Sequence, residues 1–243
     1  MEPQRRLKLS KWAWLGWACF ALVFGACGET TESQTDTGTV APGVDPFCDT
    51  RPKIEFCEDF DTADLPGAFE EQSSDLSTMT LDSDQASSLP RSLLITVEPG
   101  GHGELKQTFE PGGKLRLFGM LFVSELGAGD VEIASFALGE YSVGFGVSED
   151  GSLWAYEGDD RLAGVGSIPV GRWASFRWDV NIYDDGTGTA NLRFGNDVMA
   201  ETDALTTPGA TATPVATVGL SNATGAWTMQ FDNLTVAIEE AVQ

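Results

Sequence analysis

Across 243 residues the chain carries 37 Asp/Glu against 14 Lys/Arg and a single histidine, a formal charge of −23. Four basic residues (Arg5, Arg6, Lys8, Lys11) and one acid (Glu2) precede the first apolar run; what remains holds 10 basic and 36 acidic residues, a balance of −26. Such a surface repels nucleic-acid phosphates and anionic lipid headgroups, and it leaves solubility or divalent-cation binding as uses for the acidity.

The N-terminus reads as an address. The four basic residues lead into residues 12–26, an uncharged and mostly apolar run too short to span a bilayer comfortably and of the right length for a signal segment. It ends Phe24-Gly25-Ala26-Cys27, which resembles a bacterial lipobox with Phe where Leu is usual. The resemblance implies a lipoprotein signal peptide over 1–26, lipidation at Cys27, and an exported protein anchored in the cell envelope by several acyl chains. Residues 27–46 are rich in Thr, Ser, Gly and acids without apolar periodicity, the composition of a flexible linker. Cys48 and Cys57 then form an even pair nine positions apart. In an oxidising compartment that predicts a disulfide, the alternative being two buried thiols. There is no Cys/His metal spacing.

From residue 47 onward the periodicity is two. Strands are expected at 54–60, 78–81, 92–97, 104–109 and 114–123; the last is apolar at 117, 118, 120, 121 and 122, which predicts a central strand covered on both faces. Residues 131–156 alternate in three short runs broken at Gly139 and Gly151, an antiparallel meander with tight turns. Residues 61–74 and 158–171 read as loops. Over 173–182 the sequence WASFRWDVNI puts Ala174, Phe176, Trp178, Val180 and Ile182 on one face and Arg177 and Asp179 on the other. A return at 189–194, a Thr/Pro/Ala loop at 204–214 and strands at 215–220 and 226–238 complete about eleven strands and no convincing helix, hence an all-β sandwich.

The ordered pieces Phe56-Cys57-Glu58-Asp59-Phe60, Glu149-Asp150-Gly151-Ser152-Leu153-Trp154, Gly171-Arg172-Trp173 and Phe231-Asp232-Asn233-Leu234 resemble the concanavalin A-like lectin/glucanase superfamily in its laminin-G-like form. The resemblance implies a jelly-roll sandwich of two antiparallel sheets over 47–238, with 239–243 as a tail. It also implies a structural calcium bridging Glu58 or Asp59 to Asp232.

Function does not follow from the fold. Glucanases of that superfamily place two Glu and an Asp along one strand face. Around Glu132 the strict alternation supplies Ala134 and Phe136 instead. The lone His102 lies in Gly100-Gly101-His102-Gly103, which reads as a turn, and no Gly-x-Ser-x-Gly is present. No catalytic set is therefore assigned. Sugar recognition needs flat aromatics and planar hydrogen bonders. Glu132, Trp154, Tyr156, Arg177 and Asp179 all oppose core positions and are expected to line one concave sheet if their strands are neighbours. The reading is a membrane-anchored lipoprotein with a non-catalytic carbohydrate-binding domain. The alternatives are a protein-binding adhesion domain and a glycan-degrading hydrolase or lyase with a non-standard site.

Overall fold

The computed structural model describes residues 47–50, 56–61, 65 and 69–240; the expected signal peptide and linker, and Cys27 with them, lie outside the described residues. Fifteen strands follow in order: β1 (Phe56–Glu58), β2 (Glu70–Ser73), β3 (Ser77–Asp82), β4 (Ser92–Val97), β5 (Gly103–Thr108), β6 (Lys114–Phe122), β7 (Val131–Leu138), β8 (Tyr141–Val147), β9 (Ser152–Glu157), β10 (Asp160–Ser167), β11 (Trp173–Ile182), β12 (Thr187–Phe194), β13 (Asp197–Thr206), β14 (Pro214–Ser221) and β15 (Trp227–Glu239). Among the described residues there is no helix. The strands form two antiparallel sheets. Sheet A runs β13-β12-β11-β6-β15-β4-β3, with β1 also paired to β15; sheet B runs β10-β9-β8-β7-β14-β5-β2. The all-β, two-sheet jelly-roll expectation holds.

The sheets meet on their apolar faces. Phe145 of β8 lies 5.6 Å from Phe176, 5.9 Å from Trp178 and 6.4 Å from Phe194, centroid to centroid, and is fully buried. Tilted and edge-on aromatic pairs at this spacing suit the ring quadrupoles. Because side chains alternate, this contact also decides which residues face outward on both sheets.

Four expectations are corrected. Residues 158–171 are not a loop: Asp160–Ser167 is β10, paired to β9 with an irregularity between Ala163 and Ser167, and its glycines had masked the pairing. β13 extends to Thr206, three residues into the expected Thr/Pro/Ala loop, and β2 lies inside the expected 61–74 loop as an exposed edge strand. β6 is central in sheet A, but it is buried on one face only. Phe118, Met120 and Phe122 alternate with buried neighbours and face outward, half-buried. Cys48 and Cys57 are joined in a disulfide.

Phe145→Ala removes the ring on which three others pack. It is expected to lower unfolding free energy by about 3–5 kcal/mol, measured by denaturant titration of the folded domain; a loss under about 1 kcal/mol would show that the sheets do not depend on this contact.

Candidate functional site

The five side chains expected on one sheet are split between two. Glu132 (β7), Trp154 and Tyr156 (β9) lie on the outer face of sheet B. Arg177 and Asp179 (β11) lie on the outer face of sheet A, on the opposite side of the molecule. The reason is pairing: β9 bonds to β8 and β10, whereas β11 bonds to β6 and β12. Each residue faces outward as its strand's alternation predicts, but they do not converge.

Sheet B builds the denser polar site. β8 contributes Gly144 and Gly146 as its outward positions, so the backbone there is bare. A Cβ at Gly144 would meet the Tyr156 hydroxyl at 2.7 Å, and one at Gly146 would meet Trp154 Cζ2 at 2.4 Å. Both aromatics of β9 therefore lie across β8. Tyr156 reaches over it to donate its hydroxyl to Glu132 Oε2 at 3.1 Å. Opposite, β7 carries a bulge between Glu132 and Ala134 that puts Ile133 and Ala134 into the core in succession. The bulge re-aims the strand, so Glu132 and Ser135 both face outward, opposite Gly146 and Gly144.

Burial, followed by the nearby Glu132 carboxylate, pushes the Tyr156 phenol above its ordinary value, and Glu104 adds to the same effect. A buried phenol beside two carboxylates stays protonated. On β5, Glu104 and Lys106 form an ion pair at 2.7 Å. Lys106 Nζ also donates to Gln72 Oε1 of β2 at 2.8 Å. Gln72, His102, Glu104, Lys106 and Ser221 line a depression of about 560 Å³ on this side of the sheet, and Ser221 is the cross-strand partner of Glu132.

Sequence reasoning missed this second half of the site. The signal was present: with Leu105 buried, positions 102, 104 and 106 share the other face. His102 itself lies just before β5, and what the sequence did not show is that β5 joins the sheet of β7 and β9 through β14.

Trp154 is not an open sugar platform. Gly146 underlies its ring, and the Arg161 guanidinium sits 4.3 Å from its centroid. Arg161 is fixed there by Asp130 and Ser148, both at 2.6 Å. The indole Nε1 is buried without a hydrogen-bond partner among the described residues.

The acids expected to hold calcium are engaged in bonds within the fold. Asp232 is fully buried, and its two oxygens accept from Ser87 N, Ser88 N, Ser88 Oγ and Asn233 N; burial nevertheless pushes its carboxyl up to about 6. Glu58 Oε1 accepts from Phe60 N, and Asp59 accepts from Cys48 N and Asp61 N. These are loop-pinning bonds. Calcium wants six to eight oxygen ligands, and among the described residues no group of three or more His, Cys, Asp or Glu is arranged around a common point.

No protein-family model and no curated protein sequence matches the chain. Solved structures do match in fold. The endo-β-1,4-glucuronan lyase from the fungus Trichoderma reesei aligns with TM-score 0.60 and 15% identity, over 76% of this chain and 95% of that one. The cellulose induced protein Cip1 aligns with TM-score 0.60 and 16% identity, over 78% and 100%. A sialidase aligns with TM-score 0.57 and 9% identity over 76% of this chain but only 18% of its own. At these identities the likeness establishes the β-sandwich fold. It also corrects the expectation of a non-catalytic carbohydrate-binding domain, because a polysaccharide-cleaving lyase shares nearly its whole length with this sandwich.

The buried phenol gives a direct test of the site. In a spectrophotometric pH titration, Tyr156→Phe should remove a tyrosine ionisation lying above the ordinary value of about 10. Loss of one at or below that value would show that Tyr156 is neither buried nor held beside Glu132.

Proposed function

We propose that this chain is a glycan-degrading enzyme acting as a polysaccharide lyase on a carboxylated glycan, with its reaction centre on the outer face of sheet B. The observation that carries the reading is the Tyr156–Glu132 pair at 3.1 Å over the glycine floor of β8. Beside it is a depression lined by Lys106, His102 and Gln72. The fold shared with a glucuronan lyase supports it.

Lyase cleavage of a uronate chain removes the proton on the carbon next to the carboxylate and expels the glycosidic oxygen on the following carbon. Lys106, His102 and Gln72 offer donors for the uronate carboxylate, which makes that C–H more acidic. Glu132 takes the proton, and Tyr156 delivers its phenolic proton to the departing oxygen. The C–O bond breaks and a C=C bond forms between the two carbons. Glu132 then returns its proton to the tyrosinate across the hydrogen bond, and the pair is reset. A phenol whose ionisation is pushed upward is suited to arrive at the reaction protonated. Hydrolysis is the second reading. It is favoured by the presence of a further carboxylate, Glu104, on the same face and close enough to act on the Tyr156 phenol.

The folded domain should be incubated with β-1,4-glucuronan, other polyuronates and neutral β-glucans. New reducing ends together with the ultraviolet absorbance of a C=C conjugated to a carboxylate are expected from a polyuronate only. Tyr156→Phe and Glu132→Gln should each lower kcat by about 10²-fold or more. Reducing ends without absorbance would replace elimination by hydrolysis, and no cleavage of any glycan would end the enzymatic reading.

The enzyme is further proposed to work outside the cytoplasm, held to the envelope by lipid on Cys27. Cys27→Ser should move the protein from the membrane to the soluble fraction and abolish labelling by a fatty-acid analogue; unchanged fractionation and labelling would dispose of the anchor.

A further inference from the structure

The outer face of sheet A carries a pair of like charges that its own fold satisfies only in part. Arg177 of β11 and Arg193 of β12 are direct cross-strand partners on that face. Like charges directly opposite each other in a sheet are destabilising. This occurs in a chain with only 10 basic residues beyond position 11. Each guanidinium is anchored through one nitrogen. Arg177 Nε meets Asp179 Oδ2 at 2.6 Å, and Arg193 Nε donates to Asn191 Oδ1 at 3.0 Å. Among the described residues nothing else bonds to either, so both pairs of terminal nitrogens are left as donors. Asp179 has little exposed surface and also takes Arg116 Nε at 2.7 Å, so it fixes the orientation of two guanidiniums at once.

These groups line a depression of about 390 Å³ with Asn181, Asn191 and one further acid, Glu201. One outward position further back along β11, from Arg177 to Ser175, a second depression of about 740 Å³ begins, lined by Met120, Trp173 and Arg172. Trp173 is half-buried and packs against Phe122 at 5.6 Å. An aromatic end thus continues into a cationic end over the length of β11, about 26 Å from Trp173 to Asn181 at strand rise. Five of the ten basic residues lie along it: Lys114, Arg116, Arg172, Arg177 and Arg193.

We infer that this face is a second binding surface, separate from the reaction centre, that holds an extended carboxylated polysaccharide, with uronate carboxylates bridging Arg177 and Arg193 and a sugar face against Trp173. Planar forks of two neighbouring arginines match carboxylate geometry, and a shared anion turns the unfavourable cross-strand pair into a favourable one. The choice of a carboxylated chain rests on the function proposed above; the charge complementarity does not. The two sites lie on opposite faces of the sandwich. A long polymer can therefore be retained on sheet A while another stretch is cleaved on sheet B.

Thermal unfolding separates the two ideas. In Tyr156→Phe, which leaves the polymer intact, an excess of polyuronate should raise Tm by at least about 2 °C. A neutral β-glucan should raise it less, and added salt should shrink the shift. In Tyr156→Phe/Arg193→Gln the shift should shrink to the part that binding at the sheet B depression alone supplies. Without polymer that double variant should melt no lower than Tyr156→Phe, because a like-charge contact has been removed. A polyuronate shift undiminished by Arg193→Gln overturns the inference, as does a Tm loss in the double variant without ligand. Failure of the cleavage assay would leave the shift standing, and failure of the shift would leave cleavage standing.

Discussion

The contact between Phe145 and the three rings of sheet A, Phe176, Trp178 and Phe194, fixes more than stability. Period-two alternation ties every inward ring to outward neighbours. With Phe145 inside, Gly144 and Gly146 must face out and form bare floor on sheet B. With Phe176 and Trp178 inside, Arg177 and Asp179 must face out on sheet A. One packing decision therefore sets the composition of both outer faces. A one-residue slip in β8 would place two glycines in the core and drive Phe145 into solvent. The position of the Tyr156 hydroxyl is set by the same packing, because the ring lies over backbone that lacks a Cβ only in this register.

Much of this was legible from residues alone, and the failures have identifiable causes. Alternation correctly turned Glu132, Trp154, Tyr156, Arg177 and Asp179 outward. It could not say which sheet each strand joins, because β11 is paired with β6 more than fifty residues upstream. Bulges hid the rest. Strict alternation around Glu132 pairs it with Ala134 and Phe136, which hides Ser135. The bulge in β7 inserts one residue and returns Ser135 to the face of Glu132. A similar irregularity between Val218 and Ser221 in β14 lets Ser221 oppose Glu132. Glycine content misled over 158–171, where it suggested a loop and β10 is paired; at Gly144 and Gly146, inside a strand read as such, it marks the floor of the site.

The aromatic residues show why exposure in a strand pattern does not equal availability. Trp154 faces away from the core as expected, yet Arg161 covers its ring. A guanidinium over an indole is attracted by the ring's negative face, and the ion pair with Asp130 holds it there. The stacking surface is thus used inside the protein. Trp173, whose partner is Phe122 at a tilt of 46°, keeps more of its ring available. The sequence pattern treats the two tryptophans alike, and only the neighbours supplied by the fold tell them apart.

The strongly negative chain and a carboxylated substrate look incompatible until distance is considered. At physiological ionic strength charges are screened over about 8 Å, so a ligand group lodged between two arginines responds mainly to them and to the acids that touch them. On sheet A, Asp179 is committed to Arg116 and Arg177, and Glu239 to Lys114 and Arg116; Glu201, on the neighbouring strand, also lines the depression, where it opposes the bound anion. On sheet B, Glu104 is committed to Lys106. The local field on sheet A is therefore set mainly by cations whose orientation paired carboxylates fix, whereas on sheet B Lys106 is met by Glu104, and Glu132 adds a second carboxylate on the same face. The remaining acids act at longer range and are largely screened. Net charge then governs solubility and the fate of non-specific polyanions, while the two strand faces govern which anions are held.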